Sequence, residues 1–187
     1  MNEASIVAEA KLVGDKGIVW NAEHGMKLYE EGYFGQPVGI RKPKVPVFDK
    51  PLTLSLIECA YLTQQKRLNV RRHDDDTVLS VEDILQVGSE ISDDFRVRYT
   101  VYSQLRNRGF VVRLGLKFGT EFAVYEIGPG KDHSPFLVHV IHRKEGVIPL
   151  DIVRAGRLAL SVNKEFIIAT VKENDEIVYY SFIWYRP

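Results

Sequence analysis

Beyond Gly109 the hydrophobic pattern of the chain changes period, and no other feature restricts the fold as much. Just before that point Phe95, Tyr99, Tyr102 and Leu105 recur at helical spacing. After it come FVVRLGL, EFAVYEIG, FLVHVIH, EFIIATV and IVYYSFIWYR, short runs rich in β-branched and aromatic residues that read as strands. A single helix over about residues 150–160 interrupts them, with Pro149 just ahead and Asp151 in its first turn. Strands served by two helices make a mixed sheet whose faces need cover. The expectation is an α+β chain, with a small N-terminal α+β domain over residues 1–90 and a C-terminal mixed-sheet α/β domain over residues 91–187.

In the first half, residues 4–13 and 17–20 read as two strands around a Gly14–Asp15 turn. Asn21 caps a helix that Gly32 stops, and Thr53 or Ser55 opens the next, Ser55 and Glu58 having capping-box spacing. The charged run QQKRLNVRRHDDD after it reads as a solvated turn. Ser80 with Asp83 starts a further helix. Ser92 opens the long one, with Asp93 and Asp94 in its first turn, Arg106 and Arg108 in its last, and Gly109 as the stop. Residues 33–51 differ from all of this. Pro37, Pro43, Pro46 and Pro51 forbid a continuous helix or a central strand there, leaving an extended loop with basic residues at Arg41, Lys42 and Lys44.

Charge and composition remove several classes. The 25 basic and 25 acidic residues balance, unlike the strong excess of positive charge on a protein that coats nucleic acid generally. No run approaches the ~20 apolar residues of a membrane span, so no membrane association is expected. MNEASIVAEAK lacks a basic segment followed by an apolar core, and the lone Cys59 fits a reducing cytoplasm. Cys59 falls on an apolar helix face, where a small core side chain is the better reading than a nucleophile.

No metal or organic cofactor is implied by the residues. In a strand over Phe136–His142, His139 and His142 point to opposite faces, so with His133 they form no convergent ligand set. The glycines match neither a phosphate-cradling loop nor a dinucleotide fingerprint. Tyr125, His133 and Lys164 remain, each on or beside a strand. Cleavage of RNA without a metal needs a base for the 2′-hydroxyl, an acid for the leaving oxygen and a cation for the crowded phosphorane. Histidine and lysine suit the last two roles, whereas tyrosine is a base only where cations lower its pKa. The plainer readings are a packed strand tyrosine, a turn histidine and a surface lysine.

The segment GLKFGTEFAVYEIGPGKDHSPFLVHV resembles the signature of the archaeal tRNA-splicing endonucleases. In that family a Leu-Lys-Phe-Gly segment leads to the catalytic tyrosine, and His-Ser precedes a Val-His-Val strand. Here these are Leu116–Gly119, Tyr125, His133–Ser134 and Val138–Val140. The family lysine, in VNKEFIIATV, matches Lys164, and similarity extends to residues 54–58 and 105–109. The resemblance implies a nuclease-like C-terminal fold and metal-independent excision of introns from precursor tRNA at bulge–helix–bulge motifs, leaving 2′,3′-cyclic phosphate and 5′-hydroxyl ends. It implies Tyr125 as base, His133 as acid and Lys164 as electrostatic stabiliser, with Arg157 and Trp184 gripping a flipped base.

Resemblance also bears on assembly. The loop at residues 33–51 is similar to an insertion of crenarchaeal catalytic subunits, which join a separate structural subunit in an α2β2 tetramer. It implies phosphate contacts from Lys42 and Lys44. The long apolar last strand, with Phe182, reads as an edge open to another chain. Asp175 and Glu176 correspond to an acidic loop that docks into a neighbouring subunit. The alternative function is a non-catalytic structural subunit that positions RNA within the same complex.

Overall fold

In the first half of the chain, alternation of buried and exposed side chains builds a sheet in the order β3-β4-β2-β1-β5-β6. Its strands are β1 (Ala8–Val13), β2 (Lys16–Val19), β3 (Gln36–Pro37), β4 (Leu52–Ser55), β5 (Leu68–Arg72) and β6 (Val78–Leu79). The computed structural model describes residues 8–40, 47–115, 119–131, 136–141, 149–150, 152–153, 156–157 and 164–182, Phe182 by its backbone alone. Its contacts divide the chain into two compact units, residues 1–96 and 97–187. The α+β expectation holds for both.

One face of the first sheet carries Ala8, Ala10, Leu12, Val19, Leu52, Leu54, Leu68 and Val70, all buried. The unit's helices are α1 (Ala22–Gly32), α2 (Leu56–Gln64) and α3 (Val81–Ile91), and α2 packs on α3. Leu56 through Leu62 of α2 are all buried, Cys59 included, so this helix is a core element rather than an amphipathic one. Burial pushes the Cys59 thiol pKa well above its usual range, with the Glu58 charge adding to it. That is a packing cysteine.

Three N-caps are where the sequence puts them, whereas Gly32 falls inside α1 and Tyr33 at φ +55° takes the C-cap. Asn21 accepts from the His24 N–H, and capping boxes pair Ser55 with Glu58 and Ser80 with Asp83. The strands differ more. Ser55 ends β4 and caps α2 at once, so no loop separates the two. The charged run after α2 contains β5, paired in parallel with β1. Leu68 and Val70 are its buried residues with exposed Asn69 between them, an alternation too short to stand out among the charges around it. The long helix α4 (Phe95–Asn107) begins at Phe95 rather than directly after Ser92, which instead ends α3. Gly109, at φ +92°, stops it, its N–H reaching the Arg106 carbonyl.

Residues 33–51 are tied at both ends. Gly35 takes φ +70°, and a Cβ there would lie 2.7 Å from the Thr53 carbonyl oxygen. β3 then pairs with β4 as a two-residue edge, as the prolines require. The Val38 N–H donates to the Pro51 carbonyl at 2.9 Å, and buried Phe48 packs edge-on against Tyr29.

In the second unit the sheet runs β11-β10-β9-β8-β7. The strands are β7 (Val111–Leu114), β8 (Phe122–Tyr125), β9 (Phe136–Ile141), β10 (Glu165–Val171) and β11 (Ile177–Phe182). All pairs are antiparallel except β9 with β10. A parallel pair needs a crossover, and the described residues among 149–157 are helical, with Ile152 packed against a buried cluster of Ala123, Leu137, Ile141, Phe166 and Ile168. Tyr102 of α4 meets Phe122 at 5.7 Å between ring centroids. Buried Arg106 donates to the Tyr102 hydroxyl at 3.0 Å and to the Val112 carbonyl at 3.3 Å, joining the end of α4 to β7.

Candidate active site

The register of three strands assembles this site. Val124 of β8 is opposite Phe136 of β9, and Phe136 is in register with Glu165 of β10, so the three form one row across the sheet. Tyr125 follows Val124 at the end of β8, and Lys164 immediately precedes Glu165. Both therefore stand one step beyond the same row, at the same end of the sheet. At ~4.8 Å between neighbouring strands, backbones two strands apart lie about 10 Å from each other. The combined lengths of a tyrosine and a lysine side chain are comparable with that gap.

Tyr125 is half-buried and packs against the Ala123, Leu137 and Phe166 cluster. Lys164 is half-buried and stands two residues before Phe166, the spacing that returns a strand residue to the same face. His133 lies outside the described residues, three positions ahead of β9 in sequence, as do Trp184, Lys42 and Lys44. Arg157 is exposed in the helical stretch. Ile152 and Gly156, four residues apart, are half-buried, while Val153 and Arg157 with the same spacing face solvent.

Asp175 and Glu176 form the turn between β10 and β11, Asp175 at φ +60°. Glu176 is held 3.0 Å from Lys172, whose hydrogen bond and charge lower its carboxyl pKa. β11 is an edge strand, as its apolar run suggests. It is fixed to α4 through Tyr179, whose hydroxyl donates to Gln104 at 2.9 Å and whose ring lies beneath Arg108. Burial raises the Tyr179 pKa against the opposing charge of Arg108. Tyr180, next along, is 52% exposed.

One polar group went unread in the sequence. Glu121, just ahead of β8, accepts from the His139 Nδ1 and from the Val140 N–H, both at 2.8 Å. Burial works to raise its pKa, but the His139 ring and the Val140 N–H outweigh it and hold the carboxyl below its usual range. Arg98 lies 3.9 Å from the other carboxylate oxygen, and the His139 ring stacks on Phe166. His139 is thus engaged by Glu121, on the strand that also carries Leu137 and Ile141 of the cluster. An acid opening an apolar strand was the available signal. Among the described residues no three His, Cys, Asp or Glu side chains gather as a metal-ligand set.

Comparison with known proteins covers both units. Residues 8–85 match the model of the tRNA intron endonuclease N-terminal domain, and residues 95–179 that of the tRNA intron endonuclease catalytic C-terminal domain. The chain is 44% identical to a tRNA-splicing endonuclease of Hyperthermus butylicus, over 95% of this chain and 98% of that protein. It is 38% identical to the tRNA-splicing endonuclease of Sulfolobus acidocaldarius with the same coverage. Against that of Saccharolobus solfataricus it is 37% identical over 96% of this chain and all of the relative. With both domains matched in order and archaeal relatives aligned over nearly their full length, the chain belongs to the tRNA intron endonuclease family.

Proposed function

We propose that the chain is the cutting subunit of a tRNA-splicing endonuclease, removing introns from precursor tRNA without a metal ion. Family membership supports the endonuclease activity, and the observation that carries the cutting role is the arrival of Tyr125 and Lys164 at one end of the sheet. Tyr125 takes the proton of the ribose 2′-hydroxyl, and the 2′-oxygen forms a bond to phosphorus. The bond from phosphorus to the 5′-oxygen breaks, and His133 gives that oxygen its proton. Lys164 holds its charge beside the non-bridging oxygens as the phosphorane forms, and the same charge favours ionised tyrosine. The nucleophile belongs to the RNA, so the products are a 2′,3′-cyclic phosphate and a 5′-hydroxyl.

The substrate is a bulge–helix–bulge, whose two bulges require two such sites at fixed separation. One catalytic domain per chain makes assembly necessary, and we place this chain with a structural subunit in an α2β2 tetramer. Exposed Arg157, with Trp184, stacks on a flipped base, while Lys42 and Lys44 add phosphate contacts. Asp175, Glu176 and Phe182 form the subunit contact, and the enzyme works in the cytoplasm. The test is incubation with bulged precursor RNA in chelator, with and without the partner subunit, followed by analysis of the ends. Cyclic phosphate that disappears in His133→Ala is the expected result. Cleavage lost in chelator would overturn the metal-free chemistry, and no cleavage with any partner would assign the chain a structural role.

A further inference from the structure

His139 occupies a position that the pattern of β9 marks as apolar. Leu137 and Ile141, two residues to either side on the same strand face, both belong to the buried cluster of the second unit. Ile168, its partner on β10, belongs to it too. An aliphatic side chain at position 139 would extend that cluster. It would also avoid the cost of taking a carboxylate out of water. The chain instead sets an imidazole there and answers it with Glu121, whose side chain is only 16% exposed.

What the pair supplies is direction. One Glu121 oxygen takes both the His139 Nδ1 and the Val140 N–H at 2.8 Å, while Arg98 stands 3.9 Å from the other. An ionised carboxylate only accepts, so Nδ1 carries its proton toward Glu121 and the ring is held along one edge. Its face lies on Phe166, with centroids 6.3 Å apart and planes at 25°. Phe166 is 2% exposed and belongs to the cluster against which Tyr125 packs. Lys164 stands two residues before it. Phe166 thereby connects the pair to the tyrosine through packing, and to the lysine through a short stretch of backbone. A leucine at position 139 would fill the space and leave that orientation undefined.

We propose that Glu121 and His139 are positioning residues for the cutting site: the hydrogen-bonded imidazole fixes Phe166, and Phe166 holds the cluster that orients Tyr125. This rests on Tyr125 and Lys164 acting in cleavage. In the active assembly, His139→Leu should lower kcat for precursor RNA about 10- to 100-fold with KM little changed and a cooperative thermal transition retained. His139→Gln, which keeps a donor for Glu121 but no ring, should lose as much. Glu121→Gln should behave like the parent, because one amide oxygen can accept from both N–H groups. Parent-like cleavage by either His139 variant would overturn the proposal, and so would a Glu121→Gln enzyme as slow as they are. A second readout needs no cleavage. In chains carrying 13C-labelled tyrosine, the Tyr125 ring signals, identified by their loss in Tyr125→Phe, should move in both His139 variants and stay in Glu121→Gln. Signals unmoved by the loss of the imidazole would sink the coupling whether or not the chain cuts. A chain that showed the shifts but never cleaved would fail the proposed function and leave the positioning result intact.

Discussion

Tyr125 packs against the buried cluster of Ala123, Leu137, Ile141, Phe166 and Ile168, and removing its hydroxyl takes away no apolar atom from that packing. Tyr125→Phe should therefore lower kcat by about 10²–10⁴ while a cooperative thermal transition persists, as read by single-turnover cleavage and circular dichroism. On the proposed mechanism Lys164→Met should cost about 10²–10³ in kcat, since the charge it removes would act at the phosphorane. Loss in KM alone would make Lys164 a binding residue. Glu121 has a different role. Its folded pKa lies below the unfolded value of about 4.5, so its stabilising contribution is present above that pH and fades as pH falls through the folded pKa. Acid unfolding should be less steep in Glu121→Gln than in the parent below about pH 4.5, and parallel curves would refute the assignment. The sequence singled out Tyr125 and Lys164 as candidates through their motifs, but Glu121 had no motif. Its importance comes from meeting His139 and Val140 on the next strand.

Glu58 shows how one element organises another. Its Oε2 accepts from the Ser55 N–H and hydroxyl, completing the cap of α2, while Oε1 accepts from the Gly35 N–H at 2.8 Å. The cap of a helix is thereby also the clamp on the turn that leads into β3 and the basic loop. Glu58→Ala should destabilise the chain by about 2–4 kcal/mol, through a lost cap and a buried unsatisfied N–H, measured by urea unfolding. A loss under about 1 kcal/mol would mean the Gly35 contact contributes little. The capping half was legible, because Ser55 and Glu58 are neighbours in sequence. The clamp was not, since nothing local links Glu58 to Gly35. β5 was missed for a related reason. Leu68 and Val70 are too few to mark a strand within so many charges, and it takes pairing with β1 to select the extended state.

At the scale of the molecule, β11 is an edge of its sheet among the described residues, with Tyr180 exposed and the acidic turn at its start. Asp175, exposed and held at positive φ, is better placed to reach a neighbour than Glu176, which Lys172 already engages. Asp175→Lys should shift the assembly toward smaller species in sedimentation velocity and slow cleavage most at low protein concentration. An unchanged sedimentation profile would remove the acidic turn from the interface.

What the sequence determined by itself was local or carried by motif. Helix caps, the change of period beyond Gly109 and the exclusion of long elements by prolines depend on residues within a turn or two of one another. The family follows from motifs spread along both units. Only the tertiary structure decided which distant residues share a row. Ladder hydrogen bonds between β8, β9 and β10 set a register that brings Tyr125 and Lys164 to one end of the sheet and pairs Glu121 with His139. A slip of one residue in any of these strands would turn its side chains to the other face, and no pattern within a single strand prevents it.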